Sequence, residues 1–272
     1  MDKICILNFN HTYENQDFYK NKEYEIIDLY DLKSVSRYCD EISLDIIRKK
    51  LKEFDDAKIN FIDSGNYHYI SYLLLEKITE PFVLVLFDHH TDMQPSSFVE
   101  LMSCGCWVKK ALDDNKYIEK VVIIGAKKKL INSIEDKYKD KIICFSEEFI
   151  KEKYDWEEFS KKHIKNPIYI SIDKDVITPK EAKTDWDQGD LTLEELKNIY
   201  QESKTSLDIR KATGINTFVC EKNNYEKEIL ICGGTGCKSA QSDLIKINLE
   251  KEIKKLGLED KVYVSITGCF GF

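Results

Sequence analysis

The run FVLVLF at 82–87 is apolar at every position, and VVIIGA at 121–126 is apolar apart from its glycine. A strand with one solvated face alternates apolar and polar residues. A strand apolar on consecutive residues belongs in a parallel sheet covered on both faces. The rest of the chain supplies the cover. Strand-like KICILNF, YEIIDLYDL, INFID, IICFS and PIYISI are interleaved with helical patterns in EISLDIIRKKLKEF, YHYISYLLLEKI, LINSIEDKYK, EEFIKEKYDWEEFSKKH and TLEELKNIYQES. This order predicts an α/β fold with one parallel sheet and helices on both faces, extending to about residue 203.

FVLVLF runs directly into DHHTD, so two aspartates and two histidines follow a buried strand within five positions. In an extended segment alternate side chains share a side, which would bring Asp88, His90 and Asp92 together and turn His89 and Thr91 elsewhere. The stretch YISIDKDVITP repeats the arrangement with Asp173 and Asp175, and FIDSGNYHY places His68 after a strand and a glycine turn. Open α/β sheets bind their ligands at the carboxyl ends of strands. Four carboxylates gathered there repel one another unless cations hold them, and one or two divalent ions satisfy that need. Oxygen ligands with some imidazole favour Mn²⁺ and tolerate Zn²⁺, Fe²⁺ or Co²⁺. A metal pair points to hydrolysis, with a metal-activated water as nucleophile and with His90 and Asp92 counted among the catalytic groups. Taken singly, each motif has a plainer reading: an aspartate can cap the next helix, and a histidine can be a hydrogen-bonded core residue. Their agreement in residue type and in place favours the metal.

The order G-N-Y-H (Gly65 to His68), D-H-H-T-D (Asp88 to Asp92) and S-I-D-K-D-V-I-T-P (Ser171 to Pro179) resembles the motifs of the arginase or ureohydrolase superfamily over residues 1–203. The resemblance implies an arginase-like three-layer fold and a dinuclear manganese centre that cleaves a C–N bond of a guanidino or related compound. By position, one ion falls to His68, Asp88, Asp92 and Asp173, and the other to His90, Asp88, Asp173 and Asp175. Asn66 and Tyr67 replace the family's Gly-Asp, His89 replaces Ala, and Thr178 replaces an Asp, none at a ligand position. The histidine-bearing loop that follows the second motif in arginase-like enzymes has no counterpart in SSFVELMSCGCWVKK. The late acidic residue that contacts the guanidinium has only Glu221 as a candidate. His89 is expected to be solvent-facing or hydrogen-bonded and turned from the metals, with a proton shuttle as the alternative. Cys104 and Cys106 are expected to be buried or rim thiols rather than zinc ligands.

Residues 204–226 show no clear period and form a linker or fusion seam, and 227–272 read as a βαβ unit with Ser242 as N-cap and Gly257 as helix stop. Its glycine turns carry Cys232, Cys237 and Cys269, thiols suited to iron–sulfur or zinc ligation. The unit resembles the start of the thioredoxin-like [2Fe–2S] ferredoxin module of NADH dehydrogenase and bifurcating-hydrogenase flavoprotein subunits. The three cysteines match the first three ligands, and the fourth would fall just past Phe272. The module is therefore expected to be truncated, in a natural fusion, a shortened product or a chimeric frame. A cluster is expected only in a longer chain, with redox subunits as partners.

A net charge of -8 argues against nucleic acid or anionic lipid as a general partner, which leaves a small-molecule substrate. The apolar run near the N-terminus, about six residues, is too short for a signal core or a membrane span. A cytoplasmic protein is expected, its nine cysteines reduced or metal-bound. Three readings stand: a manganese-dependent hydrolase, an iron–sulfur electron-transfer subunit, and a non-catalytic arginase-like metal-binding protein.

Overall fold

A computed structural model describes residues 3–54, 58–95, 101–152, 154–205, 227–232, 242–258 and 261–267. The elements run β1 (Ile4–Asn8), β2 (Tyr24–Asp28), β3 (Tyr38–Asp40), α1 (Glu41–Lys52), β4 (Ile59–Ile62), α2 (Ile70–Leu75), β5 (Phe82–Phe87) and β6 (Leu101–Ser103). They continue with α3 (Trp107–Asp114), β7 (Ile118–Ala126), α4 (Lys128–Ile131), β8 (Ile142–Ser146), α5 (Glu147–Ile150), α6 (Trp156–His163), β9 (Ile168–Ile172) and α7 (Leu193–Thr205). Beyond these lie β10 (Lys227–Cys232), α8 (Ser242–Lys255) and β11 (Val262–Thr267).

The parallel sheet is present, but its strands pair as two groups rather than one. β2-β1-β4 form a three-stranded parallel sheet, and β8-β7-β5-β9 a four-stranded one. A short antiparallel pair, β3 with β6, escaped the sequence pattern because three residues are too few to show a period.

β5 is covered on both faces, as its composition requires. Leu84 and Leu86 enter a core with α1, α2 and α3, including Leu44, Ile47, Leu73 and Trp107. Val83, Val85 and Phe87 enter a second core with Trp156, Phe159, Val176 and Ile199. Helices on both sides make three layers, and burying each such side chain contributes roughly 1.5–3 kcal/mol.

Two long helical patterns are broken. In EEFIKEKYDWEEFSKKH the Ser146 hydroxyl accepts from Phe149 N and the Asp155 carboxylate accepts from Glu158 N, so two caps start two short helices, α5 and α6. In LINSIEDKYK, α4 ends at Ile131 and a 3-10 turn follows at Asp136–Tyr138.

The C-terminal βαβ unit is present, with β10 and β11 parallel. Ser242 is the first residue of α8 rather than the position before it, and Gly257 follows the helix at φ +63°, where a residue without a Cβ fits. Cys232 ends β10, whereas Cys237, Cys269 and Glu221 lie outside the described residues, as does the linker segment 206–226. Among the described residues, no helix is long and apolar enough to cross a membrane.

Candidate metal centre

All the charged residues singled out at the strand ends meet at the carboxyl ends of β4, β5 and β9. The backbone ladder extends one step past β5, with Asp88 N donating to Ile124 O, and Asp173 N donating to Phe87 O ties the end of β9 beside it. His68 follows a 3-10 turn, Gly65–Tyr67, at the end of β4.

His68 Nδ1 lies 3.3 Å from Asp88 Oδ2, 3.3 Å from Asp92 Oδ2 and 3.3 Å from Asp173 Oδ2. His90 Nδ1 lies 2.9 Å from Asp175 Oδ2 and 3.5 Å from Asp88 Oδ1. Two groups of ligand atoms, His68 with Asp88 and Asp92, and Asp88 with His90 and Asp175, each fall within 4.8 Å, and Asp88 belongs to both. Asp173 stands against His68 rather than against His90.

The extended alternation expected for 88–92 is not how these side chains converge. The strand has ended, and Asp92 turns back through the left-handed region at φ +50°. Aspartate tolerates that conformation better than most side chains. The turn is held from α3, where Trp107 Nε1 donates to Asp92 Oδ2 at 2.6 Å and Val108 N donates to Asp92 O.

The other three acids are aimed by backbone N–H groups. His90 N donates to Asp88 Oδ1 at 2.6 Å, His89 N to Asp175 Oδ1 at 3.1 Å, and Asp175 N to Asp173 Oδ1 at 3.0 Å. On the far side of His68, Nε2 meets Ser171 Oγ at 2.8 Å. With an ion on Nδ1, the ring would carry its proton on Nε2 and donate it to that hydroxyl, which would fix both tautomer and tilt. Trp107 and Ser171 are thus positioning residues that residue-type reasoning passed over. Trp107 had a signal in its place beside SCGC, and Ser171 lay inside a quoted motif.

The electrostatics call for added positive charge. Burial pushes the Asp88 carboxyl well above the usual range, and the charges of Asp92 and Asp175 add to it. Asp175 is pushed up by burial and then by Asp173. Burial works against a charged His68, yet its contacts with Asp173, Asp88 and Asp92 outweigh that and raise it well above the ordinary value. His90 is likewise raised to about 11, with Asp175 and Asp88 overcoming burial. Burial works against an ionised Asp173, yet its contact with His68 outweighs that and lowers it. Four carboxylates and two imidazoles in this largely buried cluster have the donor chemistry to hold divalent cations.

His89 is not solvent-facing as expected. It is fully buried, both ring nitrogens lack a hydrogen-bond partner, and its nearest acids are Glu147 at 3.5 Å and Asp187 at 3.9 Å. Burial, with His90 and Lys127 nearby, lowers its pKa and keeps it neutral. Cys104 is half-buried and Cys106 buried, both free thiols, in keeping with their expected place.

The arginase family model matches residues 5–210. An uncharacterized protein of Thermotoga maritima is 29% identical over 216 residues, 78% of this chain and 77% of that protein. Among solved structures, proclavaminate amidino hydrolase of Streptomyces clavuligerus is 14% identical with a TM-score of 0.54, covering 74% of this chain and 78% of that one. Formimidoylglutamase of Bacillus subtilis is 15% identical with a TM-score of 0.50, covering 73% and 74%. A hypothetical agmatinase of Burkholderia thailandensis is 17% identical with a TM-score of 0.50, covering 75% and 74%. At such identities the structural likenesses establish the fold, an arginase-like α/β fold. None of these likenesses supports the thioredoxin-like reading of 227–272.

Proposed function

The chain belongs to the arginase family, and on that premise we propose that it is a manganese-dependent hydrolase that cleaves a C–N bond of a guanidino or related small molecule. The observation that carries this reading is Asp88, one buried carboxylate common to two groups of ligand atoms. His68, Asp88, Asp92 and Asp173 would hold one ion, and Asp88, His90 and Asp175 the other. Bound there, divalent ions supply Lewis acidity that activates water near neutral pH.

The chain's own residues supply position and exclusion. Ser171 orients His68, Trp107 orients Asp92, and backbone N–H groups orient Asp88, Asp173 and Asp175. Because the acidic groups are fixed before substrate arrives, little reorganisation is left to the reaction. Burial of His68, Asp88 and Asp92 keeps bulk water from that side of the centre.

The test is metal content and turnover of the manganese-reconstituted chain over guanidino, amidino and formimino compounds. About two manganese per chain with urea, ammonia or formamide released supports the proposal. No bound manganese overturns it, and metal without any turnover favours the non-catalytic reading instead.

A further inference from the structure

The rim above His68 and His90 is built from residues that the ligand set does not use. Trp186, from the loop between β9 and α7, has its indole ring 6.0 Å from the His90 ring in an edge-on arrangement. Its Nε1 donates to Asn66 Oδ1 at 3.2 Å. A Cβ built on Gly65 would lie 3.1 Å from Asp173 Oδ2 and 3.4 Å from Trp186 Cδ1, so a single glycine separates the indole from the acidic cluster. The Arg37 guanidinium covers the outer face of that indole, 5.1 Å from its centroid, and Arg37 Nε donates to the same Asn66 oxygen at 3.4 Å.

Arg37 is fixed in place by its backbone. Its N donates to Asn66 O at 2.9 Å, and its O accepts from Cys104 N at 3.1 Å, which joins the first motif to the turn after β6. The residue holds φ +67°, outside the comfortable range for an L side chain, and such strain is kept where surrounding contacts impose it. The side chain is exposed and makes no ion pair among the described residues. Of the acids on the Trp186 loop, Asp187 is taken by Lys127, and Asp185 does not pair with Arg37. Two divalent cations would balance the four aspartates below charge for charge, and among the described residues this guanidinium has no acid of its own.

We propose that Arg37, held on Trp186, reads an anionic group at the far end of the substrate, so that the preferred substrates are guanidino or related acids rather than the corresponding amines. A planar guanidinium pairs with a carboxylate through parallel N–H groups and repels an ammonium at the same point. Attraction for one end group and repulsion of the other combine into selectivity. The proposal deepens the hydrolase reading and rests on its placement of the substrate's guanidino end at the carboxylate cluster.

The test uses the manganese-loaded full chain with 4-guanidinobutyrate and agmatine, which share the guanidino group and end in opposite charges. Calorimetry gives the two dissociation constants, and urea release is measured separately. The wild-type chain is expected to bind 4-guanidinobutyrate about tenfold more tightly than agmatine or better, the scale of a charge-assisted hydrogen bond. Arg37→Met should bring the ratio near one with manganese content unchanged, and Arg37→Lys should keep its sign. Both replacements are unbranched at Cβ, so the strain at this position is the same as for arginine. Equal binding, a preference for agmatine, failure of 4-guanidinobutyrate to bind, or an unchanged ratio in Arg37→Met overturns the proposal. A charge preference that depends on Arg37 but comes with no urea release supports this reading and refutes hydrolysis of these compounds alone.

Discussion

Trp107 Nε1 donates to Asp92 Oδ2 at 2.6 Å, and both residues are buried. A helix that packs the core therefore also aims an acid of the candidate metal centre. Trp107→Phe keeps most of the packing volume and deletes that one donor. Manganese affinity is expected to fall roughly 10–100-fold, as for loss of an outer partner of a metal ligand. Calorimetric titration of the two proteins checks this, and equal affinities would show that Asp92 needs no such guide.

Asp88→Asn removes the carboxylate that both ligand groups use. A cation that binds only the folded chain raises its stability by about 2.7 kcal/mol at a hundredfold excess over the dissociation constant. The wild-type melting temperature is expected to climb with added manganese and that of Asp88→Asn to stay flat, as read by scanning calorimetry. A matching rise in the variant would remove Asp88 from the ligand set.

Gly125 sits in β7 at φ +101°, and a Cβ there would stand 2.3 Å from Val176 Cγ2 and 3.5 Å from Asp88 O. Gly125→Ala is expected to destabilise the chain by roughly 2–4 kcal/mol, combining backbone strain with overpacking. Adding Val176→Ala should recover the overpacking share and leave the strain. Urea denaturation of the single and double variants separates the two contributions.

Burial pushes the Cys5 thiol up to about 12 and the Cys39 thiol up to about 11, the latter against a hydrogen bond with Tyr69 that works the other way. In the unfolded chain both ionise near 8.5. Raised folded values mean that their contribution to stability is whole below about pH 8.5 and is lost as pH rises toward 11 and 12. Stability should drop by on the order of 1 kcal/mol per thiol for each pH unit in that window. Urea midpoints at pH 7.5 and 9.5 test it, and Cys5→Ala should make the drop shallower.

The strand cores were legible because FVLVLF and VVIIGA admit few environments, and His68, Asp88, His90, Asp92, Asp173 and Asp175 were legible because ionisable groups at buried strand ends are costly without a purpose. The reason given for their convergence was only half right. Alternation cannot foresee the left-handed turn at Asp92, which depends on Trp107 docking from a later helix. His89 was misplaced for the same cause, since its burial is set by Glu147, Asp187 and the loop at Gly189, all remote in sequence. Arg37 and Trp186 carried no signal of their own. One exposed arginine and one aromatic in a polar loop gain meaning only when Asn66 brings them together.

The common carboxylate at Asp88 has a consequence for how the centre fills. Two positions that draw on one ligand are not occupied independently, because the first arrival both reorients that oxygen pair and spends its negative charge. Loading should follow an order, with distinct first and second affinities in place of a single repeated step. At scarce manganese the chain would then pass through a half-filled form, and activity would appear only as the weaker position fills.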